Sequence, residues 1–87
     1  MKEQMKMNKP LSEKEFKRRM GAALLALRKA RGENQTEFAY RCGSSQASIC
    51  AYERGRMIPG VRLLLRIIEI TGTDAGEFFA DLVRGES

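Results

Sequence analysis

The sequence predicts an all-α fold of five short helices built around a central pair joined by a glycine turn. Three observations predict it. Apolar residues recur at three- and four-residue intervals, and no strand-like alternation competes with them. Ser12, Asn34 and Asp74 each stand three residues before a glutamate, the spacing of a capping box. Glycines stand just past the ends of the periodic segments, where a helix stops readily.

The first helix is expected to follow Ser12, with Phe16, Met20, Ala23, Leu24 and Leu27 on its apolar face, and to end at Gly32. Asn34-Gln35-Thr36-Glu37 opens a second, at about 35–42, that turns Phe38, Ala39 and Cys42 inward. Gly43 supplies a residue for which a positive φ costs little. Ser45 is the expected cap of a third helix at about 46–54, burying Ile49 and Tyr52 and closed by Gly55. Pro59-Gly60 breaks the chain. A fourth helix at about 61–71 is expected to carry Val61, Leu64, Ile67 and Ile68 inward and to stop at Gly72. Asp74-Ala75-Gly76-Glu77 opens a fifth, to about Val83, anchored by Phe78 and Leu82, with Phe79 a further candidate.

With 87 residues, 43% apolar and 31% charged, the composition suits one globular domain, expected over residues 12–84. Residues 1–11, polar and rich in Met and Lys, read as a flexible basic tail, and 85–87 as a short second tail. The net charge of +5 is unevenly spread. Residues 1–31 hold ten Lys/Arg against three Asp/Glu, whereas residues 61–87 hold three against five. Such asymmetry points to a polyanion on one side of the molecule.

Several function classes are poorly served. There is no histidine, so no Ser-His-Asp or Cys-His arrangement exists. Two cysteines make neither a disulfide scaffold nor a zinc site, and thiols fit a reducing cytosol. No phosphate-cradling glycine loop occurs, and no apolar run is long enough to span a membrane. The expectation is a cytoplasmic, nucleoid-associated non-enzyme that needs no cofactor and no metal.

The informative stretch runs from Asn34 to Gly55. Two short helices meet at a tight turn, and the second opens on the small polar residues Gln46, Ala47 and Ser48. A helix of this kind fits the DNA major groove, with its first turn reaching base edges. Backbone N–H groups at helix N-termini meet phosphates.

Residues about 24–79 resemble the Xre/Cro/lambda-repressor-like helix-turn-helix family of bacterial and phage regulators. The resemblance rests on Leu24…Leu27-Arg28, Gln35-x-x-Phe38-Ala39 and Gly43-x-Ser45. It continues through Ile49, Tyr52-Glu53-Arg54-Gly55-Arg56, Pro59 and the apolar pattern of the fourth helix. It implies a five-helix lambda-repressor-like DNA-binding domain with a central helix-turn-helix. It also implies that Gln46, Ala47, Ser48 and Ala51 face the bases. Gln46 is then suited to adenine, and the Ala47 and Ala51 methyls to thymine methyls. Gln35 is implied to contact phosphate and brace the first reading residue. The caps Asn34 and Ser45, with Arg41, Arg54 and Arg56, complete the implied phosphate and bracing set. Arg28 and Glu53 match a structural ion pair. Lys14, Lys17, Arg18 and Arg19 face either DNA or water.

Three positions depart from the family pattern. Glu33 and Ser44 replace apolar residues beside the second helix, and Thr71 replaces Leu at the end of the fourth, which weakens the expected packing of the turns. The DNA-facing residues are small, so shape readout is expected to supplement base contacts. Cys42 reads as a small core hydrophobe. Cys50 reads as a residue of the recognition helix where a redox change would block docking.

Leu63, Leu65, Ile70, Phe79 and Val83 fall off the inward faces of their helices. They are expected to form a twofold homodimer interface that matches a near-palindromic operator. The leading function is sequence-specific operator binding, most simply as a repressor. The alternative is an antitoxin-like module that binds a partner protein and regulates its own synthesis through DNA.

Overall fold

The computed structural model describes residues 11–85. Nearly all of the basic tail expected at 1–11, and the last two residues of the tail expected at 85–87, lie outside these residues. Five α-helices account for the described chain: α1 Glu13–Ala30, α2 Gln35–Cys42, α3 Gln46–Glu53, α4 Val61–Thr71 and α5 Ala75–Arg84. No strand occurs among the described residues. The all-α, five-helix expectation is met. The third helix stops at Glu53, so Arg54 is its C-cap.

Capping fixes the helix starts. Asn34 accepts from the Glu37 amide and Glu37 accepts from the Asn34 amide, a closed box at the start of α2. The boxes expected at α1 and α5 close on one side only. Ser12 and Asp74 accept from the amides of Glu15 and Glu77. The Glu15 carboxylate, however, turns away to Arg18 and Arg19. A guanidinium is a charged donor, and it outcompetes a neutral backbone amide for the carboxylate. Gly43, at φ 75°, closes α2 and reverses the chain into α3.

The core is one cluster built from Met20, Leu24, Phe38, Ala39, Cys42, Ile49, Tyr52, Leu64, Ile67, Ile68, Phe78 and Leu82. α3 packs across α1 and against α2, α5 lies on α1, and α4 lies on α2. α1 and α3 cross at Gly21. A Cβ on Gly21 would stand 2.5 Å from the Tyr52 carbonyl oxygen and 2.8 Å from that of Glu53. Only glycine lets the two backbones approach this closely.

Two expectations about α4 are corrected. Val61 is exposed, not inward. Leu63 and Ile70, expected at a dimer interface, are half-buried against the monomer core. The inward face is centred on Leu64, Ile67 and Ile68. Leu63 and Ile70 flank that face on one side, where they meet the core, and Val61 and Leu65 flank it on the other, where solvent lies.

Two of the three departures from the family pattern, Glu33 and Thr71, have a physical replacement. Glu33, whose side chain is only 12% exposed, pairs with Arg31 at 3.3 Å and Arg41 at 2.8 Å. Arg31 in turn donates to the Ile70 carbonyl at 3.0 Å. An ionic clamp thus ties the end of α1, α2 and the end of α4 where an apolar anchor was expected. Thr71 donates its hydroxyl back to the Ile67 carbonyl at 2.8 Å and shares a 2.6 Å contact with Thr73. At the other end of the molecule Arg19 donates to the Leu82 and Val83 carbonyls at 2.7 and 3.0 Å, closing the last turn of α5.

These carboxylates are held ionised. Hydrogen bonds from Arg18 and Arg19 hold the Glu15 carboxyl down at about 2. Burial opposes ionisation at Glu33, but the hydrogen bonds from Arg31 and Arg41 overcome it and keep its pKa below the ordinary carboxylate value. Burial, followed by the Glu33 charge, pushes the Cys42 thiol up. That fits an inert core residue.

Two outcomes follow from the packing and the clamps. Gly21→Ala gains helix propensity of about 1 kcal/mol, but overpacking at a backbone crossing costs about 1–3 kcal/mol. The variant is expected to be net destabilised, with a lower urea midpoint and an unchanged slope. Both carboxylates are depressed in the folded state, so their stabilisation is present above the unfolded carboxylate pKa and is lost as pH falls through the folded one. Stability is expected to hold from pH 7 to about 5 and to decline from about 4.5 towards 2. Denaturation across pH checks this, and Glu15→Gln with Glu33→Gln should flatten that decline.

Candidate nucleic-acid interface

The site is organised by one carboxylate. Arg28 on α1 donates to Glu53 at the end of α3 through both arms of its fork, Nε to Oε2 at 2.7 Å and Nη2 to Oε1 at 3.0 Å. The two side chains are only 13% and 6% exposed. The third nitrogen of Arg28, Nη1, donates to the Glu33 carbonyl at 2.9 Å. The pair expected from the sequence is therefore a bidentate, largely desolvated bridge. Removing one partner of such a bridge typically costs about 3–5 kcal/mol, because the other charge is left stranded.

From Glu53 the hydrogen bonds run outward to the surface. Gln35, the first residue of α2, donates its Nε2 to Glu53 Oε1 at 2.8 Å. Gln46, the first residue of α3, donates its Nε2 to Gln35 Oε1 at 2.6 Å. The sense of both amides is dictated. An ionised carboxylate only accepts, so Gln35 must turn its NH₂ to Glu53. Its carbonyl is then left facing Gln46, which must donate in turn. Gln46 consequently presents a carbonyl oxygen and its second N–H, both unbonded, at an exposed position.

The remaining surface of α3 follows from helical spacing. Ile49 and Tyr52 point into the core. The opposite face carries Gln46, Ala47, Cys50 and Ala51. Ala47 is exposed, and Cys50 and Ala51 are half-buried. Ser48 lies towards the edge of this face. Its amide donates to Ser45 Oγ at 3.1 Å, and Ser45 Oγ donates to its hydroxyl at 3.0 Å. Ser48 thereby becomes part of the helix cap. Cys50, read from the sequence as a residue of this helix at which a redox change would block docking, was not counted among the base-facing residues, although its spacing of four from Gln46 puts it on their face.

The cations divide into paired and unpaired groups. Arg41 is exposed but bonded to Glu33. Arg19 is committed to Glu15 and α5, and Lys17 pairs with Glu13 at 3.3 Å. Among the described residues Arg54 and Arg56 carry no ion pair, and both are exposed just beyond α3. Asn34 and Ser45 cap the two helices at the same end of the motif. Leu65, Phe79 and Val83, expected at a dimer interface, are 55%, 42% and 74% exposed, and Leu65 lines a hollow with Gly43 of the α2–α3 turn.

The described residues contain no group of three potential metal ligands and no helix long and apolar enough to cross a membrane.

Two solved structures of the clp gene regulator ClgR from Corynebacterium glutamicum share this fold. One has a TM-score of 0.72 at 23% identity and covers 80% of this chain and 74% of that one. The other has a TM-score of 0.71 at 22% identity and covers 92% and 97%. No curated protein matches the sequence. Residues 25–68, about half of the chain and the whole of the α2–turn–α3 unit, match the RsaL-like HTH domain family. That match establishes the helix-turn-helix class expected from the sequence without singling out the Xre/Cro/lambda-repressor grouping within it. The chain belongs to the RsaL-like helix-turn-helix domain family.

Proposed function

We propose that this protein is a double-stranded DNA-binding transcriptional regulator that reads an operator through the major groove with α3, acting as a repressor. The observation that carries the reading is the bonded series Arg28–Glu53–Gln35–Gln46. It ends on an exposed amide whose free acceptor and free donor form the pair that adenine N6 and N7 require. An amide held before the ligand arrives loses less conformational freedom on binding.

In this reading Gln46 reads a base, and Ala47 and Ala51 offer methyls to thymine. Cys50 lies between them, and Ser48 holds the first turn. Asn34, Gln35 and Ser45 present the two helix N-termini to one strand, while Arg54 and Arg56 meet phosphates. Arg41 contributes to DNA only if it leaves Glu33. The proposal extends to a cytoplasmic, nucleoid-associated role without catalysis and without a cofactor.

The oligomer we propose is a homodimer through α4 and α5. Its apolar contacts would come from the exposed Leu65, Phe79 and Val83, with Val61 at 72% exposure. A twofold pair of recognition helices calls for half-sites about one helical turn apart, hence a near-palindromic operator. The protein-partner reading uses the same exposed apolar residues and predicts a stable complex with a second protein.

Selection from a random duplex pool at about physiological salt is expected to enrich a motif with two half-sites. Gln46→Ala should weaken binding to that motif by about 1–3 kcal/mol, some 5- to 150-fold, with little change on unrelated DNA. Equal loss on both would show that Gln46 reads nothing. Light scattering at micromolar concentration is expected to give a dimer, and Leu65→Glu with Val83→Glu a folded monomer. A wild-type monomer that saturates DNA at one chain per site would remove the dimer.

A further inference from the structure

α1 carries a second basic feature that base reading does not use. Lys14, Arg18, Gly21, Leu25 and Arg28 follow one another at spacings of three and four, so they form one stripe along the helix. This stripe runs beside the recognition helix. At one end Arg28 holds Glu53, the hub of the Gln46 series. In the middle Gly21 abuts the Tyr52 and Glu53 carbonyls. At the far end Lys14 and Arg18 meet Arg54 across a cleft of about 320 Å³ between the first turns of α1 and the end of α3.

The carboxylates of this cleft are already occupied. Glu53 is taken by Arg28, and Glu15 by Arg18 and Arg19. Among the described residues Lys14 and Arg54 have no ion pair. Arg18 bonds Glu15 through Nε and Nη2, and no bond is made by its Nη1. The cleft thus has two unpaired cations and one partly engaged guanidinium, and no unneutralised carboxylate. The cleft lies at the C-terminal end of α3, whereas Gln46 is its first residue, about 10 Å away along the helix, so a phosphate held there stands apart from the base that Gln46 reads.

We propose that this cleft, with Lys14, Arg18 and Arg54 at its rim, holds a DNA backbone phosphate apart from the base that Gln46 reads, making α1 a second point of grip on the duplex. This rests on the DNA-binding reading. Its contribution is affinity and register without base preference, because phosphate contacts carry no sequence information.

The test uses the full chain, with the selected operator and an unrelated duplex of equal length titrated over a range of salt concentrations. Lys14 is exposed and unpaired, so Lys14→Ala should fold as the wild type does, checked by thermal denaturation. It is expected to weaken binding to both duplexes by the same factor and to flatten the plot of log affinity against log salt by about 0.9 per bound chain. Arg66→Ala, which removes an unpaired cation from α4, should leave the slope in place. Normal wild-type binding with an unchanged Lys14→Ala slope overturns the cleft and spares the DNA-binding reading. Equal flattening by Arg66→Ala makes the effect one of total charge and overturns it too. Absence of salt-sensitive binding by the wild type overturns both. Saturable binding of inorganic phosphate by the free protein, with an unchanged Lys14→Ala slope on DNA, reassigns the cleft to a small anion.

Discussion

The Glu53 carboxylate is the constraint on which the site depends. It is nearly enclosed, accepts both arms of Arg28, and takes a further bond from Gln35. A buried carboxylate without such donors would be strongly destabilising, so the fold and the site are solved together. The same bonds that neutralise the charge fix α1 against α3 and orient the first residue of α3. Gly21 completes the junction by letting the α1 backbone reach the carbonyls of Tyr52 and Glu53. Helix position and amide orientation therefore share one cause.

The ionic clamps elsewhere serve a related purpose. This chain is short, and its core of twelve buried apolar residues holds five helices. Glu33 with Arg31 and Arg41, and Arg19 on the last carbonyls of α5, tie down helix ends that such a core does not reach. Most of these pairs lie at or near the surface, where a single bridge contributes little. Their effect is geometric. Each satisfies a carboxylate or a terminal carbonyl while joining elements distant in sequence.

How much of this was legible in the sequence depended on how local the signal was. Helix boundaries were legible because caps and stops are one-turn events, as at Asn34, Gly43 and Gly72. The Arg28–Glu53 pair and the Gln35–Gln46 brace followed from resemblance, not from spacing. The inward face of α4 was only partly legible. Seven of its eleven residues are apolar, so periodicity fixes the centre of the face but not its edge. That is why Val61 and the pair Leu63 and Ile70 exchanged roles. Glu33 was visible as a departure, but its replacement required Arg31 and Arg41 to converge in space. The basic cleft was illegible for the same reason, since Lys14 and Arg54 are forty residues apart in the chain.

The small side chains on the outer face of α3 have an evolutionary consequence. Ala47 and Ala51 make no hydrogen bond with their side chains, and the core contacts of the helix come from Ile49 and Tyr52 on its other side. Exchanging the outward residues would leave the hub, the backbone crossing and the clamps intact. With α3 reading DNA as proposed, specificity and stability are separable traits, and a lineage carrying this scaffold could acquire a new binding site by one or two substitutions without passing through an unfolded intermediate.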